Sequence, residues 1–335
     1  MKRVVGFALI GLGAFLLVVA GMLRFYAVPA LAKAPLSPGE DNGGINVSLN
    51  EGVAEQLIDP AALAAGEDPI RTNVPLVSTR NTRGDVQAAE TAEAQEQDLA
   101  IYDSFSRLTD SEGTVVNADT IRVAFNRVTS ELANCCGANY DGQEVTFEGI
   151  NPLKFPMFSE QIDYQYWDSS LLKAWPAVFQ GQEELFGATV NKYVMTIPAT
   201  KVGEQDLPGS LVGSDEPSVT ATEYYANIRT LYVEPTTGSI VKGVEEQNQY
   251  FQAPNGTQVP KIKATIGAPD SEVQKSVDTA MESANLINML NKTVPLVALS
   301  LGILGIVGGL LLLRRPKEDA EYYAPTDEWG QVQPQ

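Results

Sequence analysis

Histidine is absent from this 335-residue chain, and cysteine occurs only twice. Without histidine, Ser-His-Asp and Cys-His catalysis and every histidine-ligated metal site are excluded. The chain also lacks a glycine-rich phosphate loop and a Cys-x-x-Cys pair. Ser170 with Lys173 and Ser239 with Lys242 have the Ser-x-x-Lys spacing of penicillin-binding acyltransferases, but the companion motifs are missing. The sequence therefore predicts no enzyme, no cofactor and no metal site.

Charge is missing from two long apolar runs, residues 4–23 and 294–313. About twenty apolar residues span the roughly 30 Å hydrocarbon core of a bilayer as one helix. Basic residues precede the first run and follow the second. Because positive flanks stay in the cytoplasm, we expect a plasma-membrane protein with both termini cytoplasmic and the intervening domain outside.

The first run allows a second interpretation, a signal peptide cleaved between Ala30 and Ala34. Hydrophobic regions of signal peptides are about 7–15 residues long, shorter than this run. Length favours a retained span, and the sequence leaves cleavage open.

Acidity is concentrated between the two runs. Residues 25–293 hold 17 of the 23 Lys and Arg and 37 of the 42 Asp and Glu, a net charge of −20. Such a surface repels nucleic acid. The predicted segments are a cytoplasmic N-terminus (1–3), transmembrane helix 1 (4–23), a linker (24–44), a β-rich extracytoplasmic domain (45–269), a membrane-proximal helix (270–293), transmembrane helix 2 (294–313) and a disordered cytoplasmic tail (314–335).

Hydrophobic periodicity predicts an α+β fold, in which a β-rich mixed domain lies between two transmembrane helices. Alternating residues indicate strands, and residues 228–251 indicate a hairpin around the turn Glu234–Gly238. Apolar residues at spacings of three and four over 270–291 predict an amphipathic helix. Residues 85–99 have helix-forming composition without an apolar face, which indicates an exposed helix or a loop. Further strands are predicted at 45–49, 121–125, 144–147 and 190–197.

Cys135 and Cys136 are adjacent, and oxidation is expected outside the cytoplasm. A bond between them would stiffen the turn Ala133–Gly137. A redox-labile turn, two free thiols, or bonds between subunits remain open.

Small residues recur along the second span as Ala298, Gly302, Gly305 and Gly309. Spacings of four, three and four place them on one helix face, and small residues let helices approach closely in lipid. We expect helix pairing within or between chains, and a homo-oligomer.

Three segments carry a family resemblance: Asn151–Met157 (NPLKFPM), Tyr164–Asp168 (YQYWD) and Leu231–Val241 (LYVEPTTGSIV). Together with Pro35-Leu36 after the first span, they resemble the actinobacterial two-pass membrane-protein family of unknown function often labelled "porin PorA family". The resemblance covers roughly residues 1–317. It implies an oligomeric plasma-membrane protein with a mixed α/β external domain. Some relatives are connected with maturation of lipomannan and lipoarabinomannan.

Topology and resemblance predict a non-enzymatic, membrane-anchored cell-envelope biogenesis factor that binds membrane lipid or lipoglycan or scaffolds envelope-biosynthesis enzymes. One alternative is an oligomeric channel or porin-like protein, and another is an envelope sensor or receptor. The porin label conflicts with two apolar helices, because outer-membrane porins cross the bilayer with many strands. Two helices in each chain could form a pore only as a multimer.

An aromatic segment offers candidate lipid-facing residues. Seven aromatic residues lie between positions 155 and 179, where a lipid-binding domain could line an apolar cavity. The alternative is a packed aromatic core. The candidates are Phe155, Tyr166, Trp167, Trp175 and Phe179.

Overall fold

The computed structural model describes residues 2–39 and 44–314, which separate into two units. One unit comprises the described parts of Met1–Ala27 and Leu290–Gln335, and the other is Val28–Met289. The predicted tail from residue 315 onward lies outside the described residues, as do residues 40–43 of the predicted linker.

The first unit contains the two apolar helices, α1 (Lys2–Met22) and α7 (Val294–Leu313). Both belong to helical segments long and apolar enough to cross a membrane. A π-helical turn, Leu23–Ala27, follows α1, and another, Met289–Thr293, precedes α7. The side chain of Arg24 joins these turns, since Nη1 donates to Asn291 O and Oδ1, each at 2.9 Å.

The predicted linker begins too early at residue 24. Helical backbone continues through the π-helical turn and a short helix, α2 (Val28–Leu31), because residues 25–31 contain no glycine and remain mostly apolar.

The second unit is built on one antiparallel sheet. Its described residues form twelve strands, and non-sequential pairing occurs where β1 meets β12. The order along the sheet is β5-β4-β3-β2-β1-β12-β11-β10-β9-β8-β7, with β6 also paired to β4. The strands are β1 (Ile45–Ile58), β2 (Ile70–Gly84), β3 (Leu99–Asp110), β4 (Val115–Asn126), β5 (Leu132–Ala133), β6 (Asn139–Tyr140), β7 (Tyr164–Asp168), β8 (Lys173–Leu185), β9 (Ala188–Pro208), β10 (Ser218–Glu234), β11 (Ser239–Gln252) and β12 (Gln258–Gly267).

The sheet curls so that its two edges meet. Ile150 forms β-bridges with Glu131, which precedes β5, and with Tyr166 of β7. Ile150 N donates to Gln165 O at 2.7 Å, and Leu132 N donates to Gly149 O at 2.9 Å. Curling gives the sheet an inner and an outer face, and residues alternate between these faces along each strand.

Apolar layers occupy two regions of the inner face. One layer gathers aliphatic residues from β1, β2 and β12: Ala54, Leu57, Val74, Leu76, Ile262 and Ala264. The other contains two neighbouring clusters rich in aromatic residues, one around Phe155, Tyr193 and Met195 and one around Phe125, Phe147 and Trp167. Burial of these side chains supplies the main favourable free energy of the fold.

Helix α6 (Asp270–Asn288) packs on the outer face. Its buried residues are Val273, Val277, Ala280 and Ala284, and the cluster they join includes Val190 and Val241. Their spacing of four, three and four forms the apolar stripe expected of a surface helix. Asp270 and Glu272 lie in its first turn, where negative charge favours the helix dipole.

Short helices fill the connections between strands: α3 (Pro60–Ala65), α4 (Val86–Ala89) and α5 (Ala92–Glu96). Asp85 caps α4 by accepting from Ala88 N at 3.0 Å. Residues 85–99 thus form two helical turns whose small residues Ala89 and Ala94 are buried, rather than one exposed helix.

The strand predicted at residues 144–147 is wrong. This segment is extended without a strand partner among the described residues. The Asn134 side chain binds it instead, with Nδ2 donating to Phe147 O at 2.9 Å and Oδ1 accepting from Phe147 N at 2.6 Å. Taken together, the described residues form a β-rich α+β protein with two long apolar helices, which confirms the predicted fold class at that level.

Candidate functional site

A layer of charged and polar side chains lies on the inner face between the two apolar regions. We call this layer the polar chamber and define it by its charged residues Arg80, Asp119, Asp168, Arg229 and Glu245. They come from β2, β4, β7 and the hairpin of β10 and β11, four regions distant from one another in sequence. The curl of the sheet is therefore what assembles them.

Arg229 is the centre of the polar chamber. Its Nη1 lies 3.0 Å from Asp168 Oδ2, and its Nε donates to Glu245 Oε1 at 2.9 Å. Its guanidinium carbon is 5.7 Å from the centre of the Tyr166 ring. Two carboxylates and one aromatic face thus surround a side chain that is only 11% exposed.

Neutral side chains complete the hydrogen bonds of these carboxylates. Tyr225 OH donates to Asp168 Oδ2 at 3.3 Å, and Gln247 Nε2 donates to Glu245 Oε2 at 2.7 Å. Asn227 Nδ2 donates both to Tyr225 OH and to Glu245 Oε2, at 2.9 and 3.1 Å. Asn227 Oδ1 is buried and has no hydrogen-bond partner among the described residues.

Electrostatic interactions keep both Arg229 and Glu245 ionised. Burial opposes ionisation of Glu245, but the charge and hydrogen bond of Arg229 outweigh it and lower the pKa of Glu245 to about 2. Burial likewise opposes the charge on Arg229, and Glu245 and Asp168 outweigh it and raise the pKa of Arg229. Burial raises the pKa of Asp119, while Arg80 acts in the opposite direction.

The polar chamber has a lateral opening in its wall. Strand β12 ends at Gly267, which pairs with Glu51 on one side and Val244 on the other. Beyond Gly267, no strand among the described residues lies between residues 45–50 of β1 and residues 239–243 of β11. Arg80 is exposed although it lies on the inner face, so solvent reaches the chamber.

The chamber does not resemble a catalytic or metal site. Its acidic residues are engaged by arginines and amides, and the described residues contain no group of three or more His, Cys, Asp or Glu able to hold a metal ion. Arg80 contacts water, whereas Arg229 and Asp168 are buried and paired with each other.

The apolar helices pack through glycine backbones. A Cβ atom built on Gly6 would lie 3.0 Å from Gly309 O, and one built on Gly302 would lie 2.9 Å from Gly13 O. A Cβ on Gly305 would lie 3.1 Å from Leu9 O. We call this contact the helix seam. Three of the four predicted association residues contact α1 within the same chain, and the fourth, Ala298, is also buried.

Leucine in the helix seam is expected to separate α1 from α7. Gly309→Leu should destabilise the helix pair by about 1–3 kcal/mol, because no side chain fits against the backbone of Gly6. Gly308→Leu is the matched control, since a Cβ there has no neighbour within 4 Å. Thermal unfolding of the purified chain in detergent measures both. Equal melting temperatures for the two variants would contradict a close seam.

Cys135 and Cys136 are bonded to each other in the structure. Cys136 has a positive φ of 59°, and Arg122 Nε donates to Cys136 O at 3.1 Å. Arg122 also binds Asp85 and Asp103, at 2.8 and 2.9 Å, so the turn is tied to β3 and to the cap of α4.

The oxidised chain is expected to weigh less than the reduced chain by two hydrogen atoms, because one intrachain bond accounts for both cysteines. Intact mass spectrometry under denaturing conditions, before and after reduction, measures this. Non-reducing gels should show no covalent dimer. A dimer that disappears in Cys135→Ser would show that the bond joins subunits instead.

The candidate lipid-facing aromatic residues lie in packed regions. Phe155, Tyr166 and Trp167 are 0%, 4% and 0% exposed and belong to the two aromatic clusters. Phe179 and Trp175 are half-buried against the first of these clusters. No apolar cavity among the described residues is lined by these five side chains together.

Comparisons with known proteins identify relatives over almost the whole chain. The sequence profile of the family described as "Porin PorA" matches residues 5–311. A Porin PorA of Corynebacterium amycolatum is 26% identical, covering 84% of this chain and 86% of the relative. A Porin PorA of Corynebacterium resistens is 25% identical, covering 93% and 97%. A solved lipoprotein structure from Parabacteroides distasonis is 9% identical, covering 65% of this chain and 92% of its own, with a TM-score of 0.17, which carries no argument.

These relatives overturn the predicted main function. An envelope-biogenesis factor that binds lipoglycan or scaffolds enzymes is wrong, because the matched family and both relatives are named as porins. The alternative of an oligomeric channel or porin-like protein agrees with them. The family and the two apolar helices also fit the predicted membrane location.

Proposed function

The chain belongs to the porin PorA family, and on that premise we propose that it forms a membrane channel for small polar solutes. The match over residues 5–311 is the observation that carries this proposal, since it includes both apolar helices and the domain between them. The water-accessible polar chamber supports it, because a solute path needs polar groups that contact water.

The channel requires several copies of the chain. Within one copy, the helix seam brings the backbones of α1 and α7 into contact and leaves no space between them for water. The outward faces are apolar apart from Ser300, whose hydroxyl donates to Leu296 O at 2.8 Å. A pore between copies therefore has mainly hydrophobic walls in the bilayer, and such walls conduct only when wide enough to stay hydrated.

Orientation follows from the charge flanks. Lys2 and Arg3 at the start of α1 and Arg314 after α7 favour cytoplasmic termini. Because both helices flank the acidic domain in sequence, two crossings leave that domain outside the cytoplasm. The chain acts without enzymatic chemistry, which agrees with its lack of histidine and the internal pairing of the buried carboxylates.

Solute release from vesicles tests the proposal. Full-length chain reconstituted into liposomes loaded with a small fluorescent anion and, separately, a small fluorescent cation should release at least one of them faster than protein-free liposomes. Protein unfolded before reconstitution is the control. If correctly folded, inserted protein releases neither dye, the channel proposal is wrong.

A further inference from the structure

An exposed patch of apolar and basic residues covers the outer face of β1, β2 and β3. We call it the basic patch and define it by Val47, Leu49, Arg83, Phe105 and Arg107. The registers align these residues across the three strands on adjacent rows. Val47 is 44% exposed and Phe105 is 42% exposed. Large apolar side chains grouped on a sheet face indicate an interaction surface.

The two arginines of the basic patch differ in their acidic neighbours: Arg83 lies opposite Asp103 and acts electrostatically on Asp85, whereas Arg107 lies opposite Thr79 and Ala118. Arg83 and Arg107 are exposed, and neither forms a salt bridge with any described residue. In a segment whose net charge is −20, the guanidinium group of Arg107 beside the apolar side chain of Phe105 favours an acidic partner.

A second outer surface has the complementary character. Two adjoining concavities of about 390 and 340 Å³ extend over β8 to β12 and reach β1, and they share Thr196. We call them the acidic groove; apolar side chains form much of its lining, including Val178 and Ile228, which are 38% and 42% exposed. Glu246 lies in the groove and is exposed, and it forms no salt bridge with a described residue. Glu55 also lines it and is paired with Lys263.

The basic patch and the acidic groove cannot meet within one copy. In the sheet order, Phe105 and Arg107 of β3 are separated from Glu246 of β11 by β2, β1 and β12, and both surfaces lie on the outer face of the sheet. Contact between two different surfaces is heterologous, and repetition of such a contact produces a ring when the rotation closes. A ring leaves a central space, which a pore between copies requires.

We propose that neighbouring copies of this chain assemble head to tail, with the basic patch of one copy docked in the acidic groove of the next and Arg107 facing Glu246. This interface rests on the proposed channel, because it supplies the multimer that the channel needs. The occupant of the groove is thus a second copy, and the apolar residues of the patch cover those of the groove.

Charge reversal with a compensating swap tests the interface. Arg107→Glu and Glu246→Arg should each weaken self-association of the full chain in detergent by at least about tenfold, because like charges then face each other. The double variant restores the opposite charges and should recover most of the loss. Sedimentation over a range of protein concentrations measures association, and thermal unfolding shows that each variant is folded. Glu144→Arg, at an exposed position outside the groove, is the control and should associate normally.

The outcomes separate this interface from the channel itself. Normal association of both single variants, or a double variant no better than the singles, overturns the head-to-tail interface. Solute release that persists in those variants would leave the channel proposal standing. If the single variants lose association and the double variant recovers it, but the wild-type chain releases no solute, the interface is supported and the channel is overturned.

Discussion

Replacement of Arg229 with methionine is expected to lower the free energy of unfolding by about 3–5 kcal/mol, because it leaves a buried carboxylate without its cation. Asp168 is fully buried, and its main charged partner is Arg229 at 3.0 Å. Methionine retains an unbranched apolar side chain of similar reach, so the loss reports the charge rather than the packing. Denaturant unfolding of the purified chain, followed by tryptophan fluorescence, measures the effect.

Arg83→Met is the matched control for this prediction. Arg83 is exposed and forms no salt bridge with a described residue, so the same substitution should change the free energy of unfolding by no more than about 0.5 kcal/mol. Equal losses at the two positions would show that the polar chamber does not hold the sheet in its curled form.

Truncation of Trp167 to alanine is the second large effect, and we expect it to cost about 3–5 kcal/mol. Trp167 is 0% exposed, and its ring centre lies 4.8 Å from that of Phe147. Removal of the indole leaves a cavity where the two edges of the sheet approach. The measurement is the same denaturant titration, with circular dichroism as the probe because a tryptophan is lost.

Trp167→Phe separates packing from hydrogen bonding. Trp167 Nε1 has no hydrogen-bond partner among the described residues, so phenylalanine loses volume but no hydrogen bond. The loss in free energy of unfolding for Trp167→Phe should be less than half the loss for Trp167→Ala. A phenylalanine variant as unstable as the alanine variant would indicate that the indole N–H has a partner, such as buried water.

Local sequence patterns correctly predicted the β10–β11 turn and helix α6, because residues within each of these segments determine its structure. The turn Glu234–Gly238 lies between β10 and β11, and Gly238 has the positive φ of 71° that such a turn requires. The spacing of apolar residues in α6 correctly predicted which face of the helix is buried. Residues 144–147 show the same alternation of polar and apolar side chains. Here, however, the Asn134 side chain forms hydrogen bonds with the backbone N–H and C=O of Phe147, and the segment forms no strand. Hydrophobic periodicity within a segment cannot predict a hydrogen bond from a side chain elsewhere in the sequence.

The polar chamber could not be predicted because it depends on register. Alternation along a strand puts Glu245 and Glu246 on opposite faces, but it does not reveal that Glu245 binds Arg229. Counting back from the turn would pair Arg229 with Val244. A bulge at Tyr232 shifts the pairing by one residue and puts Arg229 opposite Glu245. No local signal in the sequence marks that bulge.

The error about function has a physical origin as well. Apolar spans without a polar stripe favour a function without a water path. That inference holds for a pore within one pair of helices, and the helix seam closes such a pore. It does not hold for a pore between copies, where spacing rather than lining polarity decides whether water enters. Family membership supplied the information that span composition lacked.

Single-channel recording of the full-length wild-type chain in planar lipid bilayers tests the central claim most directly. If copies of this chain form a channel, purified protein should produce discrete current steps that become more frequent as protein is added. Protein unfolded beforehand should produce none. A chain that is folded, inserted and self-associated, yet gives no current steps above the bare bilayer, would contradict the account.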